Sequence, residues 1–277
     1  MRNLLSANFS RLWKNKLFYF ALGCMLLLSI VGMFNGCRQA SMDAMSEYTY
    51  HLEDFYFNLA PLVGMFSAVF IGLFLGTEYS DGTLRNKLIV GHTRLDIYLA
   101  NFLTCTAASL LFVAAWLIGG LVGGPTLGLW QMTPSKLFSY LAICLLFNTV
   151  FAAIFTLIGM LFSNKATGAV VSILFFLALL VGASMIYNAL SEQEFISGVV
   201  ITLEGMHMGE PTLNPNYIRG VLRTVYETIL NILPTGQAIL MANLDITRPL
   251  FQMTASLFLI LLICACGALL FSKKDLK

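Results

Sequence analysis

Of the 277 residues, 58% are hydrophobic and only 11% are charged, and the mean hydropathy is +0.81. A soluble domain carries about 25% charged residues, so composition excludes a soluble globular fold. The net charge of +2 is too small to point to a nucleic-acid partner.

Residues 3–16 predict an interfacial helix. Leu5, Phe9, Leu12 and Trp13 share one face, with Arg11 and Lys14 away from it. Six uncharged stretches then follow along the chain: 17–34, 55–77, 97–122, 137–163, 166–190 and 249–272. A helix needs about 20 apolar residues to cross the hydrocarbon core, and no Asp, Glu, Lys or Arg falls inside any of the six. The first stretch lacks a small-residue cleavage site after it and reads as a retained span. The fold class is therefore all-α: a single polytopic transmembrane domain, 1–277, with six spans.

Between the first two spans, 35–54 reads as a short polar, acidic outer segment. The inner segment 78–96 carries the clearest local signals. Asp81 or Thr83 can cap a helix of about two turns starting near Thr83, Gly82 permits the tight turn before it, and Gly91 can end it. Arg85 and Lys87 are expected on its exposed side. Segment 123–136 is a short outer loop. The tight turn at Asn164–Lys165 makes the fourth and fifth spans antiparallel neighbours. Small residues at the end of the third span (Gly119, Gly120, Gly123, Gly124) and in the fourth (Ala152, Ala153, Gly159) mark helix contacts.

The long outer segment 191–248 opens with a polar half, read as a small external helix or lid. Its second part, 228–244, is apolar but interrupted by Asn231, Pro234, Gly236 and Gln237, with Thr235 between them. It is too short and too broken to span. It predicts a re-entrant hairpin whose two short helices meet near Pro234, since non-helical backbone is tolerated at membrane depth where protein surrounds it.

Orientation follows from the basic residues. With the N-terminus inside, 11 of the 16 Lys and Arg fall on the cytoplasmic side: Arg2, Arg11, Lys14, Lys16, Arg85, Lys87, Arg94, Lys165, Lys273, Lys274 and Lys277. The other five, Arg38, Lys136, Arg219, Arg223 and Arg248, fall outside. The positive-inside rule places both termini in the cytoplasm.

Several chemistries are missing. No Gly-x-x-x-x-Gly-Lys-Ser/Thr phosphate loop occurs, so the chain has no ATP site of that kind. No charge is expected within a span, which argues against a proton relay. Gly182-Ala183-Ser184 resembles the serine of an intramembrane protease, but the three histidines all lie in loops, and it reads as a packing face. Five of the six cysteines lie inside spans as small apolar packers. Met206-His207-Met208 offers soft ligands suited to Cu(I), a weak metal candidate in an outer loop. No catalytic residue and no bound cofactor are expected.

Glu78-Tyr-Ser-Asp-Gly82-Thr83-Leu84, with Arg85 and Arg94 after it, resembles the Glu-x-x-x-Gly-Thr signature of ABC type-2 permeases, the membrane subunits of bacterial ABC exporters. The order of segments agrees over the whole chain, down to the Phe-Ser-Lys-Lys-Asp ending at 271–275. The resemblance implies a transport subunit in the bacterial plasma membrane, powered by a separate ATPase subunit that holds ATP and Mg. Glu78, Asp81, Gly82, Thr83, Leu84, Arg85, Lys87 and Arg94 map onto the region that meets that ATPase. It also implies a second permease copy, as a homodimer or related heterodimer. Drugs, antimicrobial peptides and lipid-like compounds are the expected substrate classes, with antimicrobial resistance as one setting. The alternatives are a non-transporting anchor or sensor of the same fold, or a copper- or sodium-related permease.

Overall fold

The computed structural model describes every residue except 43–48, 129, 198, 203, 204, 209 and 275–277, and describes only the backbone of 126, 199–202 and 205–208. The chain begins with helix α1 (Arg2–Lys14), and α2 (Lys16–Met42) follows after Asn15, whose side-chain oxygen accepts from Leu17 N at 2.9 Å. A one-turn helix α3 (Leu52–Tyr56) leads into α4 (Ala60–Ser80), then come the short α5 (Thr83–Ile89) and the long α6 (Arg94–Gly120). A 3-10 turn and α7 (Gly124–Leu127) connect to α8 (Pro134–Leu161). Helix α9 (Lys165–Ser191) follows directly, capped by Asn164, which accepts from Ala166 N at 2.9 Å. After a β-ribbon come α10 (Gly220–Ile232), α11 (Pro234–Ala242) and α12 (Pro249–Lys273).

Six helical stretches are long and apolar enough to cross a membrane, and each coincides with one of the six uncharged stretches. The fold is that of an all-α polytopic membrane protein. The helices outrun the apolar runs at several ends. α2 continues to Met42, so part of 35–54 is helical rather than loop, while α8 stops at Leu161. Backbone hydrogen bonding sets these ends, and it continues past the point where apolar side chains stop.

α4, α6 and α8 form the centre, and α2, α9 and α12 pack around them with broad apolar faces exposed. α4 meets α9 along glycines: a Cβ at Gly72 would lie 2.7 Å from Ala169 Cα, and one at Gly76 would lie 2.6 Å from Lys165 Cα. Only hydrogen at these positions lets the two backbones approach so closely. A ladder of rings, Phe147, Phe151 and Phe155 of α8 with Phe176 of α9, fills the space beside that seam.

The expected external helix after α9 is instead two short antiparallel ladders: β1 (Phe195–Ile196) with β4 (Thr212–Leu213), and β2 (Val199–Thr202) with β3 (Gly205–Met208). Phe195, Ile196, Val199, Val200, Ile201 and Thr202 are aromatic or β-branched, types that favour strands over helices. The polar character of the segment concealed that preference.

Candidate functional site

α4 ends in a turn through Asp81 and Gly82. Gly82 adopts φ +64, a left-handed conformation that a side chain would strain, and the chain then enters α5. Neither Asp81 nor Thr83 caps that helix. Its cap position is Gly82, and Thr83 Oγ1 donates back to Glu78 O at 3.1 Å, tying the turn to the end of α4. Gly91, at φ +96, ends α5 as expected.

Glu78 is 0% exposed, within the last turns of α4. It lies one residue past the uncharged stretch 55–77, in the segment expected to be an inner loop, and is nonetheless fully buried in the helix. The carboxylate is buried because three other helices bring it partners. Lys87 Nζ of α5 approaches Glu78 Oε1 at 2.6 Å, and Arg11 Nη1 of α1 approaches the same oxygen at 2.7 Å. Asn101 Nδ2 of α6 donates to Glu78 Oε2 at 2.8 Å. Asn8 of α1 closes the ring, donating to Asn101 Oδ1 at 2.7 Å and accepting from Lys87 Nζ at 2.9 Å. The Arg11 guanidinium also lies 3.9 Å from the centre of the Phe74 ring. A buried charge is tolerated when its oxygens are met in this way.

The ring fixes which way α5 faces. Leu84 is buried and Lys87 and Leu88 are half-buried, so the helix turns its i, i+3, i+4 face inward. Lys87, expected on the exposed side, points inward, and burial pushes its ammonium below the ordinary 10.5 against the opposing pull of Glu78. The outward face carries Arg85 and Asn86 with Ile89 and Val90, the last two 74% and 76% exposed. Two bare β-branched side chains outside any span leave an apolar surface at this end of the bundle.

A family model described as an ABC-2 family transporter protein matches residues 4–203, which include α1, the turn, α5 and five of the six spans. The chain belongs to the ABC-2 family of transporter proteins. No curated protein matches it. The ABC-2 family supplies membrane subunits for transport rather than catalysts, and implies an ABC ATPase partner and a bilayer setting.

In this ABC-2 permease a second clasp joins the start of α6 to the end of α12. Arg94 Nη1 donates to Phe271 O at 3.1 Å and to Lys274 O, satisfying the terminal carbonyls of α12. Lys274 Nζ donates to Tyr79 OH at 2.8 Å and to Met160 O at 3.2 Å, while Tyr79 OH itself donates to Met160 O. Arg94 thus meets the chain's own C-terminal helix.

The interrupted segment also differs in part from expectation. Two helices do meet at Pro234, but the first arm begins at Gly220 rather than near 228. Pro234 has no N–H to continue α10 and starts α11 at its first position. A Cβ on Gly236 would lie 2.3 Å from Leu230 O, so the arms cross where only glycine fits. Gln237, fully buried, donates to Asn231 O at 2.8 Å and accepts from Ser256 Oγ at 2.9 Å, and Gln252 donates to Asn231 Oδ1 at 2.8 Å. Thr235 donates to Leu179 O of α9 at 3.1 Å. These polar groups, which made the segment look unfit to span, anchor the arms to α9 and α12.

His207 lies on β3 with Met206 and Met208, and the backbone pairs Val200 with His207. The side chains of these three candidates lie outside the described residues. Among the described residues, no three His, Cys, Asp or Glu side chains converge.

Proposed function

We propose that this chain is the membrane subunit of an ATP-driven exporter and that its ATPase subunit docks on the outward face of α5. The observation that carries the reading is that face: Arg85, Asn86, Ile89 and Val90 stand exposed on a helix whose other side is held by the buried Glu78 ring. Apolar residues with an arginine among them suit the centre of a protein interface. Because Glu78 ties α5 to α1, α4 and α6, a push on α5 is passed to three helices as a rigid unit, and the ring is the mechanical link between ATP hydrolysis and the spans.

The excess of basic residues at this end supports a cytoplasmic position for it and for both termini, and the family resemblance supports a bacterial plasma membrane. ATP and Mg belong to the partner. α1 lies along the membrane surface: Leu4, Asn8 and Leu12 face the bundle, Leu5 and Phe9 are half-buried, and Trp13 is 50% exposed toward the interface. The α10–α11 hairpin enters the outer leaflet and returns. Two permeases and two ATPases make the complete machine, which moves a drug, antimicrobial peptide or lipid-like substrate outward.

Cysteine cross-linking tests the docking face. A cysteine at 89 or 90 should cross-link to the co-expressed ATPase, and one at 216, an exposed position at the far end, should not. Cross-linking at 216 in place of 89 and 90 would refute the assignment.

A further inference from the structure

At the end of the bundle opposite α5, a cavity of about 260 Å³ lies between the end of α9, the helix α10 and the link from α11 to α12. Charges of both signs line it. Glu227 is occupied, since Arg223 Nε approaches one of its oxygens at 3.2 Å and Arg248 Nη2 the other at 3.6 Å. The Asp245 side chain and one nitrogen of Arg223, whose guanidinium also lies 5.1 Å from the centre of the Tyr217 ring, lack hydrogen-bond partners among the described residues. The Asp245 carboxylate receives no hydrogen bond or ion pair from a described residue, and Arg223 Nη1 is buried and donates to nothing. Burial and the neighbouring Glu227 carboxylate raise the Asp245 carboxyl above its ordinary 3.8, which fits a carboxylate that lacks a cation. Asp245 is held at the rim by Leu244, which has φ +57 and is the only non-glycine residue with positive φ among the described residues. The remaining wall is mixed: Leu190, Leu230 and Leu240 form an apolar side, and Tyr187, Ser191, Asn231 and Thr247 add polar groups.

One unmet acceptor and one unmet buried donor on the lining of one cavity, with three leucines on its apolar side, fit a ligand that carries both an ammonium and an anionic oxygen on an apolar stem. We infer that the cavity binds the headgroup of an ethanolamine phospholipid, with the ammonium on Asp245 and a phosphate oxygen on Arg223. The exposed apolar stripe of α10, Val221, Leu222 and Val225, offers a path for the acyl chains. The site is independent of the exporter reading, and its test uses the permease alone.

The purified permease is titrated in detergent with dihexanoyl phosphatidylethanolamine, dihexanoyl phosphatidylglycerol and acyl-free glycerophosphoethanolamine, with binding read by native mass spectrometry. The ethanolamine lipid should bind about tenfold more tightly than the glycerol lipid, because a charge-assisted hydrogen bond is at stake. Asp245→Asn should remove that preference. The acyl-free compound should bind more weakly than the lipid. Equal affinity for the two lipid headgroups overturns the site and needs no variant, as does a preference that survives Asp245→Asn. Binding of the acyl-free compound as tight as that of the lipid overturns the lipid assignment.

Discussion

Replacing Glu78 with alanine should expose the energetics of the ring. The substitution leaves Arg11 and Lys87 facing each other without their shared anion and strips Asn101 Nδ2 of its carboxylate acceptor. Removing one partner of a buried pair costs about 3–5 kcal/mol, or between about 10² and 10⁴ in the unfolding equilibrium at about 1.4 kcal/mol per factor of ten. Lys87 should account for more of this than Arg11, because their side chains are 15% and 29% exposed and water shields the arginine better. Lys87→Met added to Glu78→Ala should therefore restore part of the loss, with the double variant at least about 1 kcal/mol better than the sum of the single ones. Denaturant titration of the purified permease, followed by fluorescence of the buried Trp116, measures all three. A Glu78→Ala cost below about 1 kcal/mol, or strict additivity with Lys87→Met, would refute the ring as a coupled unit.

Gly236→Ala should destabilise the protein by about 1–3 kcal/mol through overpacking against Leu230 O, while Gly182→Ala, where a Cβ meets nothing within 4 Å, should be nearly neutral in the same titration. The raised Asp245 carboxyl means that the folded protein holds a proton more tightly than the unfolded chain, so stability should fall as pH rises from 3.8 through the folded value. Asp245→Asn should flatten that slope, and an unchanged slope would assign it elsewhere. In a cysteine-free background, a cysteine at 136 should react with an impermeant maleimide in intact cells, and cysteines at 85 and 165 should react only after permeabilisation. The reverse pattern would invert the topology.

The spans were legible in the sequence because a bilayer-length apolar run leaves little choice of structure. The punctuation of the α5 turn by Gly82 and Gly91 was legible for a similar reason, since few other residues take positive φ readily. The break at Pro234 follows from a missing N–H. The ring was not legible. Asn8 and Asn101 are 93 positions apart, and nothing local marks either as a partner of Glu78. Lys87 was expected on the exposed side of α5 because a lysine on a short inner helix ordinarily faces outward, and only the packing of Leu84 decides which way α5 turns. The packing of α1 on the bundle was not legible for the same reason: its inward stripe, Leu4, Asn8 and Leu12, contains an asparagine and does not read as an apolar face. Ile89 and Val90 were not legible as a surface, because isolated apolar residues in a loop carry no signal until their exposure is known.

ATP hydrolysis by the permease reconstituted with the ATPase that co-purifies with it tests the central claim most directly. Ile89→Asp places a charge at the centre of the proposed docking face and should lower both ATPase recovery and permease-dependent hydrolysis at least about tenfold, as expected for an interface anchor of about 2 kcal/mol or more. Asn216→Asp at the far end should change neither. Full recovery and full hydrolysis with Ile89→Asp would contradict the assignment of α5 as the ATPase contact.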